Sequence, residues 1–88
     1  MYIFKPASRF KKQYRKLNND DKARAKAIID KLLNDEPLDK KHKDHNLTGK
    51  YEGFRECHIK PDLLLIYKKE EDILILTCLA IGSHSELF

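Results

Sequence analysis

The spacing of apolar residues changes once along this chain, and that change limits the fold more than any other feature. Residues 51–82 hold three runs, "YEGFRECHIK", "DLLLIYKKE" and "DILILTCLAIG", rich in Ile, Leu, Tyr and Phe. They meet at "PD" and "EED". Connections this short predict an antiparallel meander. In the second and third runs the apolar residues do not alternate cleanly, so both faces of the sheet are expected to be covered over part of their area.

Upstream the period is helical. After a short strand-like opening, "YIFKPA", the stretch "SRFKKQYRKL" sets Phe10, Tyr14 and Leu17 at helical spacing. "NNDD" breaks that helix and caps the next. In "KARAKAIIDKLLNDE", Ala25, Ile28, Ile29, Leu32 and Leu33 form one apolar face, and Pro37 follows its end. The charged stretch "LDKKHKDHNLTGK" reads as a loop. The expected fold is α+β: residues 1–88 as one domain, β-α-α-β-β-β, a small twisted antiparallel sheet with two helices on one face. The tail "SHSELF" is expected to form a turn or short helix.

The 88 residues suffice for one modest core, and 41% apolar content argues for a folded chain. No apolar run approaches the roughly 20 residues of a membrane span, and "MYIFKPASRFKK" lacks a signal-peptide pattern. Cys57 and Cys78 lie in strand-like apolar surroundings and read as reduced core residues, hence a cytoplasmic protein. Charge is unevenly placed. Residues 1–50 carry 14 Lys/Arg against 7 Asp/Glu, whereas residues 51–88 carry 4 against 7. A polyanion, or an acidic protein, suits the basic half; a solvated helix surface is the alternative.

The polar residues of the sheet half concentrate at strand ends. Glu56 and His58 share one face of their strand, while Arg55, Cys57 and Ile59 share the other. Asp62 stands across the turn, His84 just beyond Gly82, and His45 in the basic loop. Each has a plain alternative: an idle edge histidine, a turn-capping carboxylate, a surface tail. His42 with His45, or His58 with Asp62, could also ligate a metal. Their spacing matches no zinc pattern, and neither cysteine belongs to a CxxC, so no metal or other cofactor is expected. Neither Ser83 nor Cys57 sits on a recognisable nucleophile turn.

The blocks "EPLDKKHKDHNLTGKYEGFRECHIKPDLLLIY" (residues 36–67) and "GSHSELF" (residues 82–88) resemble toxins of the RelE/ParE superfamily, within it the YafQ branch of ribosome-associated mRNA endonucleases. The resemblance implies a microbial ribonuclease fold, an RNA substrate, the ribosome as partner, and a cognate antitoxin: a small acidic protein with a ribbon-helix-helix segment. It places the family's active-site histidines at His45, His58 and His84, its acid at Asp62 and its C-terminal aromatic at Phe88. Glu56 and Arg55 fall where the family has functional or supporting polar residues.

The chemistry this implies needs no metal. A base takes the proton of the 2′-hydroxyl, cations stabilise the phosphorane, and an acid protonates the departing 5′-oxygen. Histidine suits both proton roles, with an ordinary pKa of about 6.5. His84 and His58 are expected at the phosphate, with Asp62 and His45 sharing proton transfer and Phe88 stacking on a base. Lys50 and Lys60 are expected at the substrate. Lys11, Lys12, Arg15, Lys40, Lys41 and Lys43, again with Lys50, are expected on ribosomal RNA backbone. One position departs from the family: Ala80 stands where an arginine is found. The missing charge is assigned to Arg55, turned towards His58 by a bulge after Gly53, or else to Lys60 or protonated His45. A gyrase-directed toxin of the ParE kind and a catalytically silent RNA- or antitoxin-binding member are the alternatives.

Overall fold

The computed structural model describes all residues, Met1–Phe88. The elements run β1 (Ile3–Pro6), α1 (Ser8–Arg15), α2 (Asn19–Leu33), β2 (His45–Asn46), β3 (Arg55–Lys60), β4 (Leu63–Glu70), β5 (Ile75–Gly82) and α3 (His84–Leu87). They form one five-stranded sheet in the order β1-β5-β4-β3-β2. The expected α+β layout is what forms.

Local chemistry explains the helix boundaries. Asn18 caps α2 by accepting from the Asp21 amide at 2.8 Å, an interaction that contributes about 1 kcal/mol. Asp35, at φ +57°, turns the chain out of α2 two residues before Pro37. At the C-terminus Ser83 and Glu86 form a reciprocal capping box that starts α3.

The sheet is mixed rather than wholly antiparallel. β1 pairs in parallel with β5, from Ile3↔Ile75 to Pro6↔Cys78. Apolar spacing carries no strand direction, so this pairing is not readable from the pattern. Pro6, which lacks an amide hydrogen, is tolerated because β1 is an edge. Beyond Cys78 the edge of β5 is covered by α1: Ala7 N donates to Cys78 O at 2.9 Å, and Ile81 N to Gln13 Oε1 at 2.9 Å. A second difference lies in the charged loop, where His45 and Asn46 form the short strand β2 against Glu56 and Arg55.

Both faces of the sheet are apolar, as the broken alternation in β4 and β5 predicts. On one face α1 and α2 pack Phe10, Ile28, Ile29 and Leu32 over Cys57, Leu65, Tyr67 and Cys78. On the other, Tyr51 and Leu87 join Leu64, Ile66 and Ala80 in a smaller core. Two bulges complete the sheet. Ile59 is an extra residue in β3 and Leu79 an extra residue in β5. Cys57 and Cys78 are buried and unbridged.

Candidate active site

The smaller core leaves one end of its face to polar residues. Opposed residues on neighbouring strands project to the same side, so the pair His45↔Glu56, continued by Glu56↔Ile66 and Ile66↔Ala80, forms one row. His58↔Leu64 and Leu64↔Gly82 form the next. His45, Glu56 and His58 therefore meet where β2 and β3 run side by side.

Glu56 is the centre of this group. It is only 5% exposed, and a carboxylate taken out of water needs charged or hydrogen-bonding partners. Its Oε1 lies 3.6 Å from His45 Nε2 and 3.6 Å from His58 Nε2, within ion-pair range when either ring is protonated. His45 is held from behind, with Nδ1 donating to Lys43 O at 2.6 Å. The backbone of His58 is held too: His42 Nδ1 donates to its carbonyl at 2.7 Å. His42, His58, Lys41 and Lys43 line an open cleft of about 540 Å³ that continues to Arg24 and Lys31 on α2.

α3 packs on the same face of the sheet, with Leu87 in the smaller core. His84 is exposed at its first residue, and its ring packs against Phe88 at 5.1 Å, tilted by 33°. Phe88, 50% exposed, meets the ring of Tyr51 edge-on at 5.6 Å. Tyr51 donates its hydroxyl hydrogen to Leu87 O at 3.3 Å and accepts from Arg9 Nη1 at 3.0 Å. Lys50 Nζ stands 5.2 Å from the Tyr51 ring centroid. Asp62 is exposed in the β3–β4 turn, at the sheet end that carries His58, and its carboxylate makes no hydrogen bond or ion pair within the chain.

The structure ties two expected cations to carboxylates. Arg55 stays in regular register opposite Tyr67 and points to the helix side. There its Nη1 donates to Asn46 Oδ1 at 2.6 Å and its Nη2 sits 3.2 Å from Asp44 Oδ2. Tyr67 donates to the same aspartate at 2.6 Å. Burial and the bond to Asp44 push the Tyr67 hydroxyl pKa up, and the Asp44 bond raises that of the Arg55 guanidinium. Arg55 thus fixes the strand before the site and does not face His58; no bulge follows Gly53. Lys60 is turned by the Ile59 bulge towards α2, where its Nζ lies 2.7 Å from Asp21 Oδ1. It lines the same cleft as His58, with its ammonium committed to that aspartate.

The other nucleophiles are committed elsewhere. Burial drives the Cys57 thiol pKa strongly up and that of Cys78 up to about 12, so neither forms thiolate near neutral pH. Ser83 Oγ accepts from Glu86 N at 3.3 Å as the α3 cap. No group of three His, Cys, Asp or Glu side chains, the His45–Glu56–His58 trio included, is arranged to hold a metal ion.

Tyr51 and Arg9 were not singled out by the sequence. Arg9 is one more cation in a basic helix, and Tyr51 is one more aromatic at a strand start. Neither has a spacing signal, because their meeting depends on α1 running along the edge of β5.

The fold is shared with known proteins. A family model, described as bacterial toxin of type II toxin-antitoxin system, YafQ, matches residues 2–88. The mRNA interferase toxin YafQ of Escherichia coli K12 is 36% identical over 69 residues, covering 77% of this chain and 73% of that protein. A copper-bound mutant toxin from Helicobacter pylori superposes with a TM-score of 0.89 at 42% identity over 100% of both chains. YafQ in the E. coli DinJ–YafQ complex superposes with a TM-score of 0.84 at 27% identity, over 100% of this chain and 99% of that one. The chain belongs to the YafQ family, bacterial toxins of type II toxin–antitoxin systems.

Proposed function

We propose that this toxin is an endoribonuclease that associates with the ribosome in the cytoplasm and cleaves mRNA by metal-free acid–base chemistry. The observation that carries the reading is Glu56, a buried carboxylate whose ion-pair partners are His45 and His58. A merely structural strand has no use for an ionisable trio opening onto solvent. E. coli YafQ, the relative already described, is named an mRNA interferase, and its complex with DinJ supports a cognate antitoxin for this chain. The antitoxin proposed here is a small acidic protein with a ribbon-helix-helix segment.

In this reading His58 and His84 flank the scissile phosphate, and Glu56 orients His58 and His45. The 2′-oxygen attacks phosphorus as its proton passes to a base. The bond from phosphorus to the 5′-oxygen breaks, and an acid gives that oxygen a proton. His45 and Asp62 share these two transfers. The products are a 2′,3′-cyclic phosphate and a 5′-hydroxyl. Phe88, half exposed on α3, stacks on a base of the substrate.

The test is growth arrest and primer extension on cellular mRNA after brief induction. Wild type should cut within translated codons. His58→Ala and His84→Ala should lose arrest and cutting while keeping the wild-type melting temperature, since neither side chain belongs to either core. Gyrase-linked DNA damage without mRNA cuts would establish the ParE-like alternative. RNA binding with neither outcome would establish a silent member.

A further inference from the structure

Phosphoryl transfer without a metal needs a cation beside the non-bridging oxygens, and the two side chains expected to supply it are tied to carboxylates. Arg55 is held by Asp44 and Asn46 on the helix side, and Lys60 by Asp21. Of the other arginines, Arg24 pairs with Asp20, and Arg15 lines the groove between β1 and the helices. Arg9 has no carboxylate partner and is held beside α3, on the hydroxyl of Tyr51.

Its position follows from α1. That helix covers the edge of β5 beyond Cys78, which brings Arg9 round to the smaller core. There Nη1 donates to the hydroxyl of Tyr51, the ring that meets Phe88, which in turn packs on His84. A guanidinium carries five N–H donors. One is used on Tyr51; the residue is exposed and has no carboxylate partner, so the rest of the fork is available. Ala80 is fully buried in the same core as Tyr51 and Leu87. An arginine there would displace that packing, and α1 instead brings Arg9 to Tyr51 of the same core.

We infer that Arg9 binds an RNA phosphate beside His84, with Tyr51 as the residue that positions it. This rests on the nuclease reading above. The test is single-turnover cleavage of mRNA on programmed ribosomes by wild type, Arg9→Ala, Arg9→Lys and Tyr51→Phe, with thermal melts of each. Arg9→Ala should lower the rate by about 10² at unchanged melting temperature. Free guanidinium ion should restore part of that rate. Arg9→Lys should fall between, since an ammonium keeps the charge without the fork, and Tyr51→Phe should lose less than Arg9→Ala. Arg9→Ala cleaving within twofold of an active wild type overturns the assignment alone. So does a loss that guanidinium leaves unchanged and that Tyr51→Phe equals, because Arg9 would then only hold α3. An inactive wild type removes the nuclease reading and this inference with it.

Discussion

Glu56 and Lys60 show what a period of two can and cannot reveal. The shared face of Glu56 and His58 follows from alternation, and the register Glu56↔Ile66, His58↔Leu64 confirms it. Lys60 should follow on the same face, yet Ile59 bulges and Lys60 reaches Asp21 on α2. A bulge depends on the partner strand, so the residues of β3 alone do not announce it. The same regular register leaves Arg55 on the helix side. Glu56 stands between two rings, those of His45 and His58. Glu56→Gln keeps its shape and removes its charge. We expect single-turnover cleavage to fall by about 10² with little change in melting temperature; a rate within twofold of wild type would reduce Glu56 to a spacer.

At the scale of elements, α3 is four residues long, with His84 at its start and Phe88 as its C-cap. So short a helix has little intrinsic stability, and it depends on its cap and on the Tyr51–Leu87 contact. Hydrogen bonds from the Ser83 backbone and side chain hold the Glu86 carboxyl pKa below the ordinary carboxylate value. A carboxylate with a lowered folded-state pKa contributes stability above its unfolded value, and that contribution is lost as pH falls through the folded one. Acid should therefore loosen α3 before the sheet unfolds. Near-ultraviolet circular dichroism of the Tyr51–Phe88 pair should show an early step below the ordinary carboxylate range. Glu86→Gln, which can still cap but cannot titrate, should lack that step. A single transition in both proteins would mean that α3 and the sheet unfold together. Ser83 and Glu86 have the spacing of a capping box, so the start of this helix was legible in the chain. The strand β2 was not, because two residues have no period, and His45 is placed by its pairing with Glu56 rather than by its own stretch.

At the scale of the whole molecule, the charge imbalance between the two halves becomes a distribution of free and committed cations. Arg24, Lys26, Arg55, Lys60 and Lys69 are paired with carboxylates. Lys11, Lys12, Arg15, Lys40, Lys41 and Lys43 are exposed and make no ion pair within the chain. We expect the second set to bind RNA backbone without reading sequence, each lost phosphate contact flattening the log–log salt dependence of ribosome binding by about one unit. A Lys40/Lys41/Lys43 triple substitution that binds as wild type across a salt titration would leave this turn a solvated surface. Helix faces, the meander and the double cover of the sheet were legible because each follows from local spacing. The neighbours of β1 were not, because Ile3 finds its partner at Ile75. That separation bears on how the protein is made. During synthesis β1 stays without its ladder until β5 has left the ribosome, and closing so long a loop is slow compared with forming α1 and α2. The segment that completes the sheet is followed at once by the one that carries His84. The candidate site is thus not assembled until both β5 and α3 have left the exit tunnel.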